Sequence, residues 1–120
     1  MIILEIPELP KLTNAMGKSS IWYTHNERNK WRKLVGYKLM EISGKPAEPF
    51  KKARLTLTRF SSREADWDGL AASWKYPVDA LVYNGVIIDD KPSVIEVKCL
   101  WEKCSPKLGK VKIEIEEIKS

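Results

Sequence analysis

Ala53-Arg-Leu-Thr-Leu-Thr-Arg-Phe60 runs directly into Ser61-Ser-Arg-Glu-Ala-Asp-Trp-Asp-Gly-Leu-Ala-Ala-Ser-Trp-Lys75, and the change of period between them decides the fold. Leu55 and Leu57 alternate with Thr56 and Thr58, the two-residue repeat of a strand with one buried face, from about Ala53 to Phe60. From near Asp68 the apolar residues are Leu70, Trp74, Val78 and Leu81, spaced for one side of a helix. Pro77 falls inside that pattern. It has no N–H and crowds the preceding turn, so it predicts a kink or two short helices in place of one.

Upstream, Ile2, Leu4 and Ile6 alternate as a short strand that Pro7 ends, and residues 9–23 are irregular. Thr24-His-Asn-Glu27 has capping-box spacing, which places a helix start there. Trp31, Leu34, Val35, Leu39 and Ile42 then form an apolar stripe at helical spacing, with Arg28, Lys30, Arg32, Lys33 and Lys38 on the remaining surface. Gly44 and Pro46 are expected to stop this helix. Downstream, Asn84-Gly85 ends the second helix and Val86-Ile-Ile88 reads as a brief strand. Strands from Val94 to Trp101 and Lys110 to Ile118 follow, joined by a loop with Pro106 and Gly109. The order β-α-β-α-β-β-β predicts an α+β domain over residues 1–120: one mixed or antiparallel sheet of four to five strands carrying two packed helices.

The chain has 120 residues, 43% hydrophobic and 31% charged, which suits one soluble domain with one core and argues against a wholly disordered chain. No apolar run approaches the roughly 20 residues needed to cross a bilayer. The first residues lack a basic stretch followed by a longer apolar one, so no secretory signal is expected. Cys99 and Cys104 with the single His25 are too few for a disulfide framework or a four-ligand zinc site. They read as reduced cytoplasmic thiols. There is no glycine-rich nucleotide loop and no nucleophile elbow, so neither a nucleotide cofactor nor serine hydrolysis is expected. His25 reads as a surface residue at a helix start. The 21 basic against 16 acidic residues leave +5, a balance that fits a polyanionic partner without requiring one.

Asp66 and Asp68 lie two apart where the strand gives way to the helix, a spacing that lets both carboxylates converge on a hard cation. Magnesium takes oxygen ligands and keeps several waters, so two or three aspartates suffice. Asp89-Asp90, after the short apolar strand, could meet the first pair; the bland reading makes Asp68 an N-cap and Asp89-Asp90 a polar turn. Lys75, nearly two turns beyond Asp68, would project on the same helix face and neutralise charge on a phosphoryl group, or would pair with Asp79 one turn on. Arg59, Arg63, Lys51, Lys52 and Arg54 surround the acids, the arrangement a phosphodiester substrate would favour. Trp22, Trp67 and Trp101 could stack on bases, Trp67 equally well packing locally; Trp31 and Trp74 sit on apolar stripes and belong to the core. Cys99 alternates with Val97 and Trp101 and is expected to be buried.

The run Ser61–Lys75, followed by Asp79-Ala-Leu-Val-Tyr-Asn-Gly-Val-Ile-Ile-Asp-Asp-Lys91, resembles the signature of the RusA family of Holliday-junction resolvases. The likeness extends to Leu9-Pro-Lys-Leu-Thr-Asn14, to the basic first helix and to the final strand pair. It implies a magnesium-dependent endonuclease, manganese able to substitute, acting as a homodimer that makes paired nicks in a four-way DNA junction during recombination and repair. Carried over, Asp66, Asp68 and Asp90 match the metal-binding catalytic aspartates and Lys75 the catalytic lysine. Lys11, Asn14, Lys18, Arg59 and Arg63 are the expected DNA contacts. No membrane and no nucleotide cofactor enter the reading. Gly69 stands where the family usually has asparagine, so the alternative is a junction-binding protein that has lost catalysis. A second rival is a structural partner whose aspartates only cap helices.

Overall fold

The computed structural model describes residues 1–10 and 21–119, with side chains of the second stretch from residue 25 onward. Chain order is β1 (Ile2–Ile6), α1 (Ile21–Ile42), β2 (Ala53–Ser61), α2 (Trp67–Ser73), α3 (Lys75–Tyr83), β3 (Ile95–Lys103), a 3-10 turn (Pro106–Leu108) and β4 (Lys110–Glu117). The fold is α+β, one four-stranded mixed sheet in the order β1-β4-β2-β3 with the helices packed on it. β4 is antiparallel to both β1 and β2. β3 runs parallel to β2, because α2 and α3 carry the chain back to the sheet's starting end.

Side-chain alternation in register turns one face of this sheet into rows. Leu4, Ile113, Leu57 and Cys99 form one row; Ile2, Ile115, Leu55 and Val97 form the next. Leu4, Leu55, Leu57, Ile113 and Ile115 are fully buried beneath Trp31, Val35 and Leu39 of α1 and Ala80 and Leu81 of α3. Each such aliphatic side chain contributes about 1.5–3 kcal/mol by leaving water. The third row, Ile6, Val111, Arg59 and Trp101, puts a guanidinium where the core ends.

Local readings depart from the sequence in places, each for a physical reason. α1 begins at Ile21, so Thr24 lies inside it and the Thr24–Glu27 capping box is not its start; Glu27 is buried instead, with Lys30 Nζ at 3.6 Å. α1 ends at Ile42, and Ser43 after it takes φ 52°, one residue before the expected glycine. Gly44 N–H donates to the Leu39 carbonyl and Ser43 N–H to that of Met40, the paired bonds of a Schellman end. Ile42, at 41% exposure, falls off the buried stripe. Val86–Ile88 makes one parallel bridge, Ile87 to Phe50, and no strand, since the partner segment beside Pro49 turns at once into β2.

The second helix does split, at Trp74, and Pro77 lands in the first turn of α3, where a missing N–H costs nothing. Trp31 and Trp74 are core residues at 0% and 2% exposure. Cys99 and Cys104 are free thiols, both half-buried, and burial pushes the Cys99 thiol up from its ordinary pKa. No helix among the described residues is long and apolar enough to cross a membrane.

Candidate functional site

The turn that delivers the first acid pair is pinned at the end of β2. Ser61 Oγ donates to the Arg63 carbonyl at 2.8 Å and accepts the Trp101 indole N–H at 2.8 Å, while Cys104 N–H donates to the Ser61 carbonyl. Trp101 is thereby tied into the turn through its indole N–H. The chain bends at Ser62 and Arg63 and enters α2 at Asp66, the N-cap residue, with φ −60° and ψ 155°. The Asp66 carbonyl accepts from Leu70 N–H, but its carboxylate makes no capping hydrogen bond. Asp68 lies in the first helical turn, not at the cap. Both carboxylates are exposed and no cation pairs with either among the described residues.

Lys75 opens α3 after the break at Trp74, so the continuous helix that would have stacked it above Asp68 does not exist. It lines a cleft of about 160 Å³ with Arg28, Tyr76, Asp79 and Asp90. Asp79 does not pair with Lys75. Arg32 of α1 takes it, Nε to Oδ2 at 3.0 Å and a second nitrogen to Oδ1 at 3.4 Å. The hydrogen bond to Asp79, outweighing a small loss of hydration, raises the Arg32 pKa further above its ordinary value. The Lys75 ammonium is exposed, with the Tyr76 ring centroid 5.8 Å away.

The two neighbouring aspartates after Ile88 divide their work. Asp89 Oδ1 accepts the Asp90 backbone N–H at 2.7 Å, and Lys91 Nζ stands 3.6 Å from its other oxygen. The first of these contacts, above all, holds the Asp89 carboxyl below the usual carboxylate range. Asp89 therefore builds the turn, and Asp90 faces the cleft.

Arg28 is the site residue that sequence reasoning did not single out. Its Nε is buried with no hydrogen-bond partner among the described residues, and a terminal nitrogen lies 3.5 Å from His25 Nδ1. The available signal was its spacing: Arg28 and Arg32 are one turn apart, on the flank of α1 that meets α3. Wider grooves of about 490, 590 and 880 Å³ lie elsewhere, the last lined by the flanking cations Lys51 and Lys52, but none is lined by Asp66, Asp68, Lys75 or Asp90, so size does not mark this site.

Among the expected DNA contacts, Lys11, Asn14 and Lys18 lie outside the described residues. Arg63 is exposed. Arg59 is not available at the surface: it is 7% exposed, donates to the Pro10 carbonyl, and keeps an unpartnered buried Nε, so burial lowers its pKa. Its charge marked it as a flanking cation, but strand alternation with Leu55 and Leu57 puts it on the inward face.

Asp66, Asp68 and Asp90 are hard oxygen donors of the type magnesium or manganese takes. Their gathering is another matter. Among the described residues no three acidic, histidine or cysteine side chains stand close enough to hold a metal, and Asp90 alone of the three lines the cleft. Compared with known proteins, the chain matches no family model and no curated sequence.

Proposed function

We propose that this chain is a divalent-cation-dependent endonuclease acting on branched DNA, in which Asp90 in the cleft, with Asp66 and Asp68 brought to it when substrate binds, would hold the cation and Lys75 and Arg28 face the scissile phosphate. The observation that carries the reading is the shared cleft. Lys75 and Asp90, from separate segments, line one depression, and Arg32 relieves Lys75 of the carboxylate that would otherwise occupy it. An exposed ammonium lining the same cleft as a carboxylate that forms no ion pair among the described residues suits a group that arrives carrying negative charge.

When bound, a hard cation supplies Lewis-acid polarisation of a phosphoryl oxygen and an activated water. The chain's own groups do the rest. The Lys75 ammonium offsets negative charge developing on the phosphoryl oxygens, an effect strongest where water is partly excluded. Arg28 anchors a non-bridging oxygen from the α1 side, and the exposed Arg63 contacts flanking backbone phosphate. Paired cuts across a four-way junction call for two equivalent sites, which a two-fold dimer provides.

A synthetic four-way junction tests the proposal. Nicking requires magnesium or manganese, stops in EDTA, and is lost in Asp66→Asn and in Asp90→Asn. Cleavage without a divalent cation, or surviving in Asp66→Asn, overturns it. A second reading is favoured by the absence of a three-carboxylate group among the described residues: a branched-DNA-binding protein that has lost catalysis. That protein binds the junction in a salt-sensitive way and leaves it intact at every magnesium concentration.

A further inference from the structure

Trp67 is 69% exposed, whereas Trp31 and Trp74 are in the core and the Trp101 indole N–H is held by Ser61. A tryptophan side chain can bury about 150–250 Å², so leaving one in water forfeits the largest single apolar contribution any residue offers. Nothing on its own helix covers it. One turn on, Leu70 is directed into the interior and Ala71 presents only a methyl group at the surface. Local packing, the structural use the sequence allowed, is therefore not what this residue does.

Its neighbours narrow the occupant. Asp66 and Asp68 flank it, both exposed, so a phosphate lying directly on the ring would meet two carboxylates. An uncharged planar group would not. One side chain is also far too little surface for a stable protein interface, which takes about 800 Å² from each partner. We infer that Trp67 is the platform on which an unstacked nucleobase of the substrate lies. This rests on the endonuclease reading and gives it a physical basis for choosing branched DNA. In continuous duplex every base face is covered by its neighbours. At a crossover, flap or nick a face opens, and only there can an indole stack on it. A residue between two proposed cation ligands also fixes the base next to the phosphate to be cut.

Anisotropy titrations of a labelled four-way junction and of a continuous duplex of the same sequence, in calcium and in EDTA, test the assignment. 2-Aminopurine is placed at the branch. Trp67→Ala weakens junction binding about tenfold, the order of one lost base–aromatic stack, and leaves duplex binding within about twofold. Trp67→Phe restores most of the loss. The 2-aminopurine emission responds to wild type and to the Phe variant but not to the Ala variant. Being exposed, the position leaves the thermal midpoint unmoved in both. Junction binding by Trp67→Ala equal to wild type overturns this inference alone, provided wild type prefers the junction. Equal losses on junction and duplex, or a changed sedimentation mass, overturn it as well, by making the indole a structural or protein-interface residue. A wild type with no preference for the junction overturns the endonuclease reading together with this one.

Discussion

The Arg32 guanidinium holds Asp79 across the α1–α3 contact, with Nε 3.0 Å from Oδ2, and stacks over the Tyr83 ring at 4.4 Å. That pair separates fold from chemistry at the neighbouring Lys75. Both members are about 70% shielded, with 28% and 33% of the side chain exposed, so Asp79→Asn lowers the unfolding free energy by about 0.5–1 kcal/mol, the upper part of the range for exposed pairs. Lys75→Met does the reverse. With no ion pair to lose among the described residues it leaves the urea midpoint within error, while nicking of a junction falls at least about 100-fold through loss of charge stabilisation. Denaturant melts and single-turnover cleavage on the same preparations check both halves; a Lys75→Met protein that nicks normally removes the lysine from the proposed machinery.

Asn84 clasps the two helices from the other end. Its Nδ2 donates to the Arg32 carbonyl at 3.0 Å and to the Ala80 carbonyl at 2.8 Å, and the approach is close enough that a Cβ on Gly36 would lie 2.9 Å from its Oδ1. Asn84→Ala is expected to cost about 0.5–1.5 kcal/mol, the net contribution of a hydrogen bond, since the Ala80 carbonyl keeps the backbone N–H of residue 84. Gly36→Ala alone destabilises by displacing the clasp. In the Asn84→Ala background the same change stabilises by up to about 1 kcal/mol, because alanine is the better helix residue once the collision is gone. A double-mutant cycle in urea reads the change of sign.

What the residues disclose in advance follows from how local the cause is. The two-residue alternation of Leu55 and Leu57 and the helical spacing of Trp31, Val35 and Leu39 are short-range patterns, and they place the sheet face and the helix that covers it. Pro77 divides the second helix for the reason its chemistry supplies. Alternation with Leu55 and Leu57 puts Arg59 on the inward face, a local consequence that its charge masked; register, which is non-local, sets the neighbours it meets there, Val111 and Trp101. The pairing of Asp79 was equally beyond reach from spacing alone. Its partner lies 47 positions away on α1, and the rival one turn off, Lys75, looked just as good. Arg28 was hidden among five similar cations on one helix until α3 gave that helix a side.

Asp89 is the hydrogen-bond acceptor in its own turn. The backbone N–H of Asp90, 2.7 Å from Asp89 Oδ1, depresses the Asp89 pKa, with Lys91 adding to the effect and a slight loss of hydration opposing it. The folded value therefore lies below the unfolded one, about 4 for an aspartate. The stabilisation it brings is complete above that unfolded value and is lost as pH falls through the folded one. Carboxyl carbon shifts followed by NMR should place the Asp89 midpoint below the ordinary range. Asp89→Asn should flatten the acid limb of stability without abolishing cation-dependent nicking, whereas Asp90→Asn abolishes nicking.

Arg59 and Arg63 carry equal charge and should answer oppositely to salt. Each phosphate contact releases condensed counterions, so removing one lowers the slope of log K against log salt by about one. Arg63→Ala, at the exposed turn after β2, is expected to show that loss. Arg59→Met is expected to leave the slope unchanged, because its guanidinium is buried and engaged with the Pro10 carbonyl. Its effect on folding is a balance. The substitution relieves a buried charge whose Nε is unpartnered and leaves the Pro10 carbonyl without its donor, two opposed contributions of about 1–3 kcal/mol each. The thermal midpoint therefore moves little. Junction binding measured by anisotropy between 50 and 200 mM salt (roughly the range over which phosphate-driven affinity changes most) settles the comparison, and a shallower slope for Arg59→Met would put that arginine back among the DNA contacts.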